Sequence, residues 1–210
     1  MLASIFHLKL ATTTMAGWMA AASPMPIPGA ALALALEAHV ASPVEVDIFD
    51  ENRNVSSRFV LERDGAADAA TTAQVAHVFR CRTDREHAIS SHTLAMLADL
   101  AERYGKPIVL VSGFRVQPGE SLTSPHRDAR AIDFRIRGVA LPEIRDYLFR
   151  TYTSVGVGWY PHEEFIHMDS RPQNTYWTFT HDARRIGTNN YHPFWAEPSR
   201  APAVRRRPGV

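Results

Sequence analysis

From Val44, the apolar positions Val44, Val46 and Ile48 alternate with Glu45 and Asp47, a polar turn follows at residues 50–54, and Arg58 to Glu62 alternates again. The period of two predicts a β-hairpin over roughly 44–62. An Ala/Asp/Thr connector, 64–73, leads to a short helix that Thr72 would cap and that carries Val75, Val78 and Phe79 on one side. Leu94, Leu97, Ala98, Ala101 and Tyr104 recur at three and four, which predicts a helix starting at Ser90 or Ser91 and stopped by Gly105 and Pro107. Ile108 to Val111 is a continuous apolar run, the pattern of a strand buried on both faces, and it delivers Arg115 at its end.

The second half repeats the logic. Ile132, Phe134 and Ile136 share one face of a predicted strand, leaving Asp133 and Arg135 on the other. Pro142 suits a helix first turn, and Ile144, Tyr147, Leu148 and Thr151 form that helix's apolar side. Val155 to Trp159 is extended, a turn spans 160–164, and in the returning strand Phe165, His167 and Asp169 face one way while Ile166 and Met168 face the other. Residues 170–210 hold Trp177 and Phe179, a Thr/Asn-rich stretch and a Pro/Arg-rich tail, 183–210, expected to fray. The pattern predicts an α+β domain over 43–182, a mostly antiparallel sheet with helices on one face and an open groove on the other.

Composition changes this picture in three places. With 45% hydrophobic residues in 210, the chain buries a real core without disulfides, and its single Cys81 can form neither an intrachain bridge nor a thiolate cluster. A net charge of +1 carries no chain-wide field for nucleic acid, although Arg205 to Arg207 is locally basic. Residues 1–42 are rich in Ala, Leu, Met and Pro; Lys9 followed by the apolar run Leu10 to Ala22 predicts a signal segment, hence a periplasmic or secreted protein. Pro24, Pro26 and Pro28 interrupt that leader, so no stretch of about 20 apolar residues exists to span a membrane.

Candidate chemistry sits on the groove side. His126 lies seven residues before Asp133, and a strand-borne His167 has Asp169 beside it. Two imidazoles and one carboxylate suit a zinc ion with a fourth position left for water, whose pKa falls to about 7 there, and the chemistry of such a centre is hydrolysis.

In four ordered blocks the chain resembles the zinc D-Ala-D-Ala carboxypeptidase (peptidase M15) family, and within it the YcbK-like murein endopeptidase branch. The pattern S-x-H-x-x-G-x-A-x-D is met by Ser124, His126, Ala131 and Asp133, and an SGYR-like strand end by Ser112 to Arg115. A GVGYYP…FVHVD block is met by Gly156 to Pro161 and Phe165 to Asp169, followed by Trp177. The resemblance covers roughly 45–180. It implies Zn2+ held by His126, Asp133 and His167, an oxyanion-stabilising or substrate-binding Arg115, and peptidoglycan peptides as substrate. Two departures stand out: Ala129 occupies the family's usual Gly, and the loop from Arg115 to His126 is shorter than is common.

The proton acceptor is open at this level. The carboxypeptidase branch places a Glu three residues before the last His, a spacing Glu164 holds, whereas Glu163 has the better strand phase and Asp169 shares the face of His167. Asp169 also suits the orienting of the His167 ring. His162, in the same turn, is a candidate for stabilising the tetrahedral intermediate or touching substrate. His77, His87, His92, His181 and His192 read as surface or structural residues. The alternative to an enzyme is a catalytically inactive zinc-containing cell-wall binding module of the same fold.

Overall fold

The computed structural model describes residues 42–182 and 186–192. Apart from Ser42, the predicted leader lies outside the described residues, as do 183–185 and 193–210 of the predicted tail. Among the described residues, no helix is long and apolar enough to cross a membrane.

Eight strands form one sheet: β1 (Val44–Asp50), β2 (Val55–Leu61), β3 (Ile108–Ser112), β4 (Ala131–Ile136), β5 (Val155–Tyr160), β6 (Phe165–Ser170), β7 (Thr175–His181) and β8 (Gly187–His192). Their spatial order is β2-β1-β3-β4-β6-β5-β7-β8. Only β1/β3 and β5/β7 pair in parallel; the other five neighbours are antiparallel. Three α-helices complete the α+β fold among the described residues: α1 (Ala69–Val78), α2 (Ser91–Tyr104) and α3 (Leu141–Thr151).

The alternation predicted for the strands is the reason the sheet has two unlike faces. Ile132, Phe134 and Ile136 of β4, and Ile166 and Met168 of β6, join one core with Leu94, Leu97 and Leu100 of α2 and Ile144 and Leu148 of α3. Each such leucine or isoleucine stabilises the fold by roughly 1.5–3 kcal/mol when fully buried. Gly105, in the left-handed conformation (φ 56°), ends α2, and its N–H donates to the Ala101 carbonyl. The aspartate on the inner side of α2, Asp99, accepts from the Tyr147 hydroxyl at 2.5 Å and from that of Tyr152, tying α2 to α3.

Two expectations are revised. Helix α1 starts earlier than Thr72 would allow, because Asp68 is the cap: its carboxylate accepts from the Thr71 N–H at 2.7 Å. Alanines with strong helix propensity then carry the helix from residue 69. Residues 187–192, assigned to the tail, instead form β8 and extend the sheet beside β7. Strand β8 is polar and exposed, so its backbone pairing, not apolar periodicity, places it.

Candidate metal centre

The sheet register assembles the site. Asp133 pairs directly with His167 across β4 and β6, Ser112 stands opposite Asp133 on β3, and Gly158 opposite His167 on β5. The same row continues through Trp177 and Tyr191. Residues facing each other in adjacent strands project to the same side, so the carboxylate and the imidazole meet by construction. The third side chain comes from a loop. Pro125–Asp128 form a single 3-10 turn carrying His126, and Ala129 closes it in the left-handed conformation (φ 51°). That conformation costs a non-glycine residue about 1–2 kcal/mol, partly offset by burial of the Ala129 methyl in the core. The departure from the family's Gly therefore leaves the turn itself in place.

His126, Asp133 and His167 are all buried, and each offers a donor atom within 4.8 Å of the others. His126 Nε2 lies 3.2 Å from His167 Nδ1 and 3.3 Å from Asp133 Oδ1, and His167 Nδ1 lies 2.8 Å from Asp133 Oδ1. Three atoms each 2.0–2.1 Å from a tetrahedral centre stand about 3.3 Å apart, so this trio fits a zinc-sized ion.

The far side of each ring is tied off. His126 Nδ1 meets the Gly113 carbonyl at 2.7 Å, and an oxygen acceptor there requires the N–H on Nδ1, leaving Nε2 with its lone pair toward the trio. His167 Nε2 meets Asp169 Oδ2 at 2.8 Å, which fixes an N–H there, so that Nδ1 presents a lone pair to the trio once its own proton is lost. Asp169 is fully buried and also takes Arg171, Nε to Oδ1 at 2.6 Å and Nη2 to Oδ2. Asp133 Oδ2, the oxygen outside the trio, accepts from Arg115 Nη1 at 3.1 Å, and Arg115 also pairs with Glu120 at 3.0 Å.

Two glycines make room for this shell. A Cβ at Gly156 would come within 2.3 Å of Asp169 Oδ2, and one at Gly158 within 2.5 Å of the Trp177 ring. Trp177 can therefore lie across β5, its ring 5.1 Å from that of His167, and donate its Nε1–H to the Tyr160 hydroxyl at 3.2 Å. Tyr160 is stacked between Phe165 (4.4 Å) and Phe179 (5.0 Å), an aromatic shelf next to the trio.

The charges are strongly coupled. Burial alone would raise the Asp133 carboxyl, but the charges and hydrogen bonds of His126 and His167 hold it far below the usual carboxylate range. Burial alone would lower the His167 imidazole, yet Asp133 and Asp169 raise it to about 9. Against the upward push of burial, His167 and Arg171 hold Asp169 at about 2, too low to take a proton at neutral pH. Without a metal, His167 is thus an imidazolium clamped between two carboxylates.

The structure brings together His126, Asp133, His167, Asp169 and Arg115. Glu164 and His162 stand apart from that cluster, on the β5–β6 turn. Glu164 is exposed, with φ 58°; its carbonyl accepts from Arg135 Nη1 at 3.2 Å, and it lines a depression with Arg135, two residues along β4 from Asp133. Glu163 pairs with His181 at 3.3 Å, and exposed His162 stands with its ring 5.7 Å from that of His181. Sequence reasoning missed Arg171, the Gly113 carbonyl and the Trp177–Tyr160 pair. Arg171 was within reach, since it follows Asp169 at the period of two.

Two imidazoles and a carboxylate, each held by an outer partner, are the donor set of a mononuclear metal centre with an open position. The peptidase M15 profile matches residues 64–169, and the chain belongs to that family. It is similar to the peptidoglycan L,D-endopeptidase MepK of Escherichia coli, 32% identical over 113 residues, covering 48% of this chain and 62% of that protein; the protein of the same name from Shigella flexneri matches equally. A probable peptidoglycan L,D-endopeptidase MepK of Haemophilus influenzae is 39% identical over 62 residues, 30% of this chain and 33% of that protein. The chain thus spans less than two thirds of the length of these curated relatives. No solved structure matches it significantly.

Proposed function

We propose that the chain is a zinc-dependent hydrolase of amide bonds in peptidoglycan, an endopeptidase of stem peptides or cross-links in preference to a carboxypeptidase. The convergence of His126 Nε2, His167 Nδ1 and Asp133 Oδ1, each with its far side tied off, carries the reading. The endopeptidase preference and the substrate rest on the names of the relatives. Export to the periplasm or outside the cell, through the leader of residues 1–42, belongs to the same proposal.

A zinc ion there supplies Lewis acidity, polarising the scissile carbonyl and acidifying a water molecule. The chain's own groups do the rest. Gly113 and Asp169 hold the two rings in the tautomers that present a lone pair. Arg115 steadies Asp133 through Oδ2 and offers its remaining N–H groups to the groove, where they stabilise a developing oxyanion. Glu164, at the three-residue spacing before His167, is assigned as proton acceptor: it stands apart from the trio and would have to swing from its exposed turn toward the groove to reach a water there, but its carboxylate has no ion pair among the described residues, whereas Glu163 is taken by His181 and Asp169 by Arg171. His162, exposed on the same turn, is assigned to substrate contact.

Purified cross-linked muropeptides, incubated with the zinc-loaded protein and resolved by mass spectrometry, test this reading. Cleavage products that disappear with chelator and return with zinc are expected; tight muropeptide binding with no cleavage would instead establish the inactive binding module.

Two predictions concern the metal itself. Asp169→Asn is expected to weaken zinc binding about 10–100-fold, because the carboxylate that fixes the His167 tautomer is gone while the partly exposed Arg171 keeps its hydration. Competition with a chromophoric chelator measures this, and an unchanged affinity would remove Asp169 from the site. Zinc must also displace the proton that His167 holds up to about pH 9. Below that pH the proton competes, so the dissociation constant should rise about tenfold for each unit lost between roughly pH 8.5 and 7, and a flat profile would contradict the pairing. The sign for the metal-free fold is the same: the raised imidazole stabilises it fully below about pH 6.5, and that contribution is lost as pH rises through about 9.

A further inference from the structure

Beside the trio lies a cavity of about 270 Å³, lined among others by Asp133 of the trio and by Arg115, which pairs with it. One wall is Asp50 at the end of β1 with Asn52 and Arg53 of the turn that follows, together with the segment 80–82. Four guanidinium groups line it, those of Arg53, Arg80, Arg82 and Arg115, against two carboxylates, Asp50 and Asp133. Two further carboxylates, Asp84 and Glu120, pair with these arginines from outside the lining, so what matters is which guanidinium is left without one.

The arginines are not equivalent. Arg53 is committed to Asp50 at 3.0 Å and to the Cys81 carbonyl at 2.9 Å. Arg80 is committed to Asp84 at 3.1 Å and to the His77 carbonyl at 2.6 Å, and Arg115 serves Asp133 and Glu120. Arg82 meets no carboxylate among the described residues; its partner is the neutral amide oxygen of Asn52, at 3.4 Å. That amide is itself anchored, since Asn52 Nδ2 donates to the Val111 carbonyl of β3 at 2.8 Å. Asp50 cannot drift over to neutralise Arg82, because its carboxylate already accepts the Asn52 and Arg53 N–H groups, at 2.9 and 3.2 Å, besides the Arg53 side chain. Arg82 is thus the one lining guanidinium that meets no carboxylate among the described residues, with only the long contact to the tethered Asn52 amide beside it.

We propose that this cavity is a carboxylate subsite: it takes an acidic residue of the substrate adjoining the scissile amide, with Arg82 as the cation that pairs with it. The volume suits one residue rather than the larger ligands that fill pockets of about 300–1,000 Å³. The proposal rests on the hydrolase reading for what enters the groove, and it makes that substrate an anionic peptide.

The test compares muropeptides with the same material amidated at its carboxylates by carbodiimide and ammonium. Charge pairs are worth at most about fivefold when exposed and about tenfold or more when hydrogen-bonded and shielded from water, as a carboxylate seated in the cavity would be. Wild-type protein should show a KM about tenfold lower for the unmodified form. Arg82→Ala should raise that KM about tenfold with kcat unchanged, leave the amidated form unaffected, and be partly rescued by Arg82→Lys. Arg82 is exposed, so the fold tolerates both variants. Equal effects of Arg82→Ala on both substrates, or none on either, overturn the subsite while leaving the hydrolase intact. Where no protein cleaves either substrate, the hydrolase reading falls and calorimetric titration decides the subsite alone. Tighter Arg82-dependent binding of the unmodified peptides upholds it, and equal or absent binding overturns it.

Discussion

His167→Ala is expected to lower kcat by about a thousandfold or more and to empty the centre of zinc. The imidazole supplies one of three donors and is the only one that touches both Asp133 and Asp169. A Lewis acid contributes several kcal/mol to the transition state, and each 1.36 kcal/mol is a factor of ten. The fold should survive, because the two carboxylates left behind keep their arginines: Asp133 retains Arg115 and Asp169 retains Arg171. Zinc content, circular dichroism and muropeptide turnover separate the outcomes. A folded His167→Ala protein that still cleaves would place catalysis elsewhere on the chain.

Glu164→Gln should cost about 10²–10⁴ in kcat, the usual contribution of a proton acceptor, if the turn brings its carboxylate to the groove when substrate binds, while leaving zinc bound and the melting temperature unchanged. The side chain is exposed on a turn, so its loss disturbs no packing. Glu163→Gln is the control: it breaks the contact with His181 but should leave most of the turnover. If Glu163→Gln were the inactive protein and Glu164→Gln the active one, the proton acceptor would be the carboxylate in phase with the strand.

Much of the centre was legible in the chain, for a reason that also marks the limit. Alternation in β4 separates Asp133 from Ile132 and Phe134, and alternation in β6 puts His167 and Asp169 on one face, so each residue's direction follows from a period of two. Which strand lies beside which does not. Asp133 meets His167 because β6, not β5, is the neighbour of β4, a matter of topology that local pattern does not encode. The outer partners are harder still: the Gly113 carbonyl carries no side-chain signal at all, and Gly156 and Gly158 signal only the absence of one. Strand β7 was missed because Tyr176 packs on Phe149 of α3 while Trp177 packs on His167, so both of its faces are loaded and no alternation survives. Strand β8 lacks an apolar face to read.

The aromatic shelf explains a further part of the pattern. Gly158 lets Trp177 cross β5, Trp177 steadies Tyr160, and Tyr160 stacks on Phe165 and Phe179. On the proposed reading this shelf borders the substrate on one side of the trio, and Arg115 with the arginine-lined cavity borders it on the other.

Zinc K-edge X-ray absorption of the zinc-loaded protein tests the central claim most directly. Stoichiometric zinc is expected, with a first shell of nitrogen and oxygen at about 2.0–2.2 Å that includes the scattering signature of two imidazoles and no sulfur. A sulfur shell at about 2.3 Å, a single imidazole, or no retained zinc would contradict a centre built from His126, Asp133 and His167.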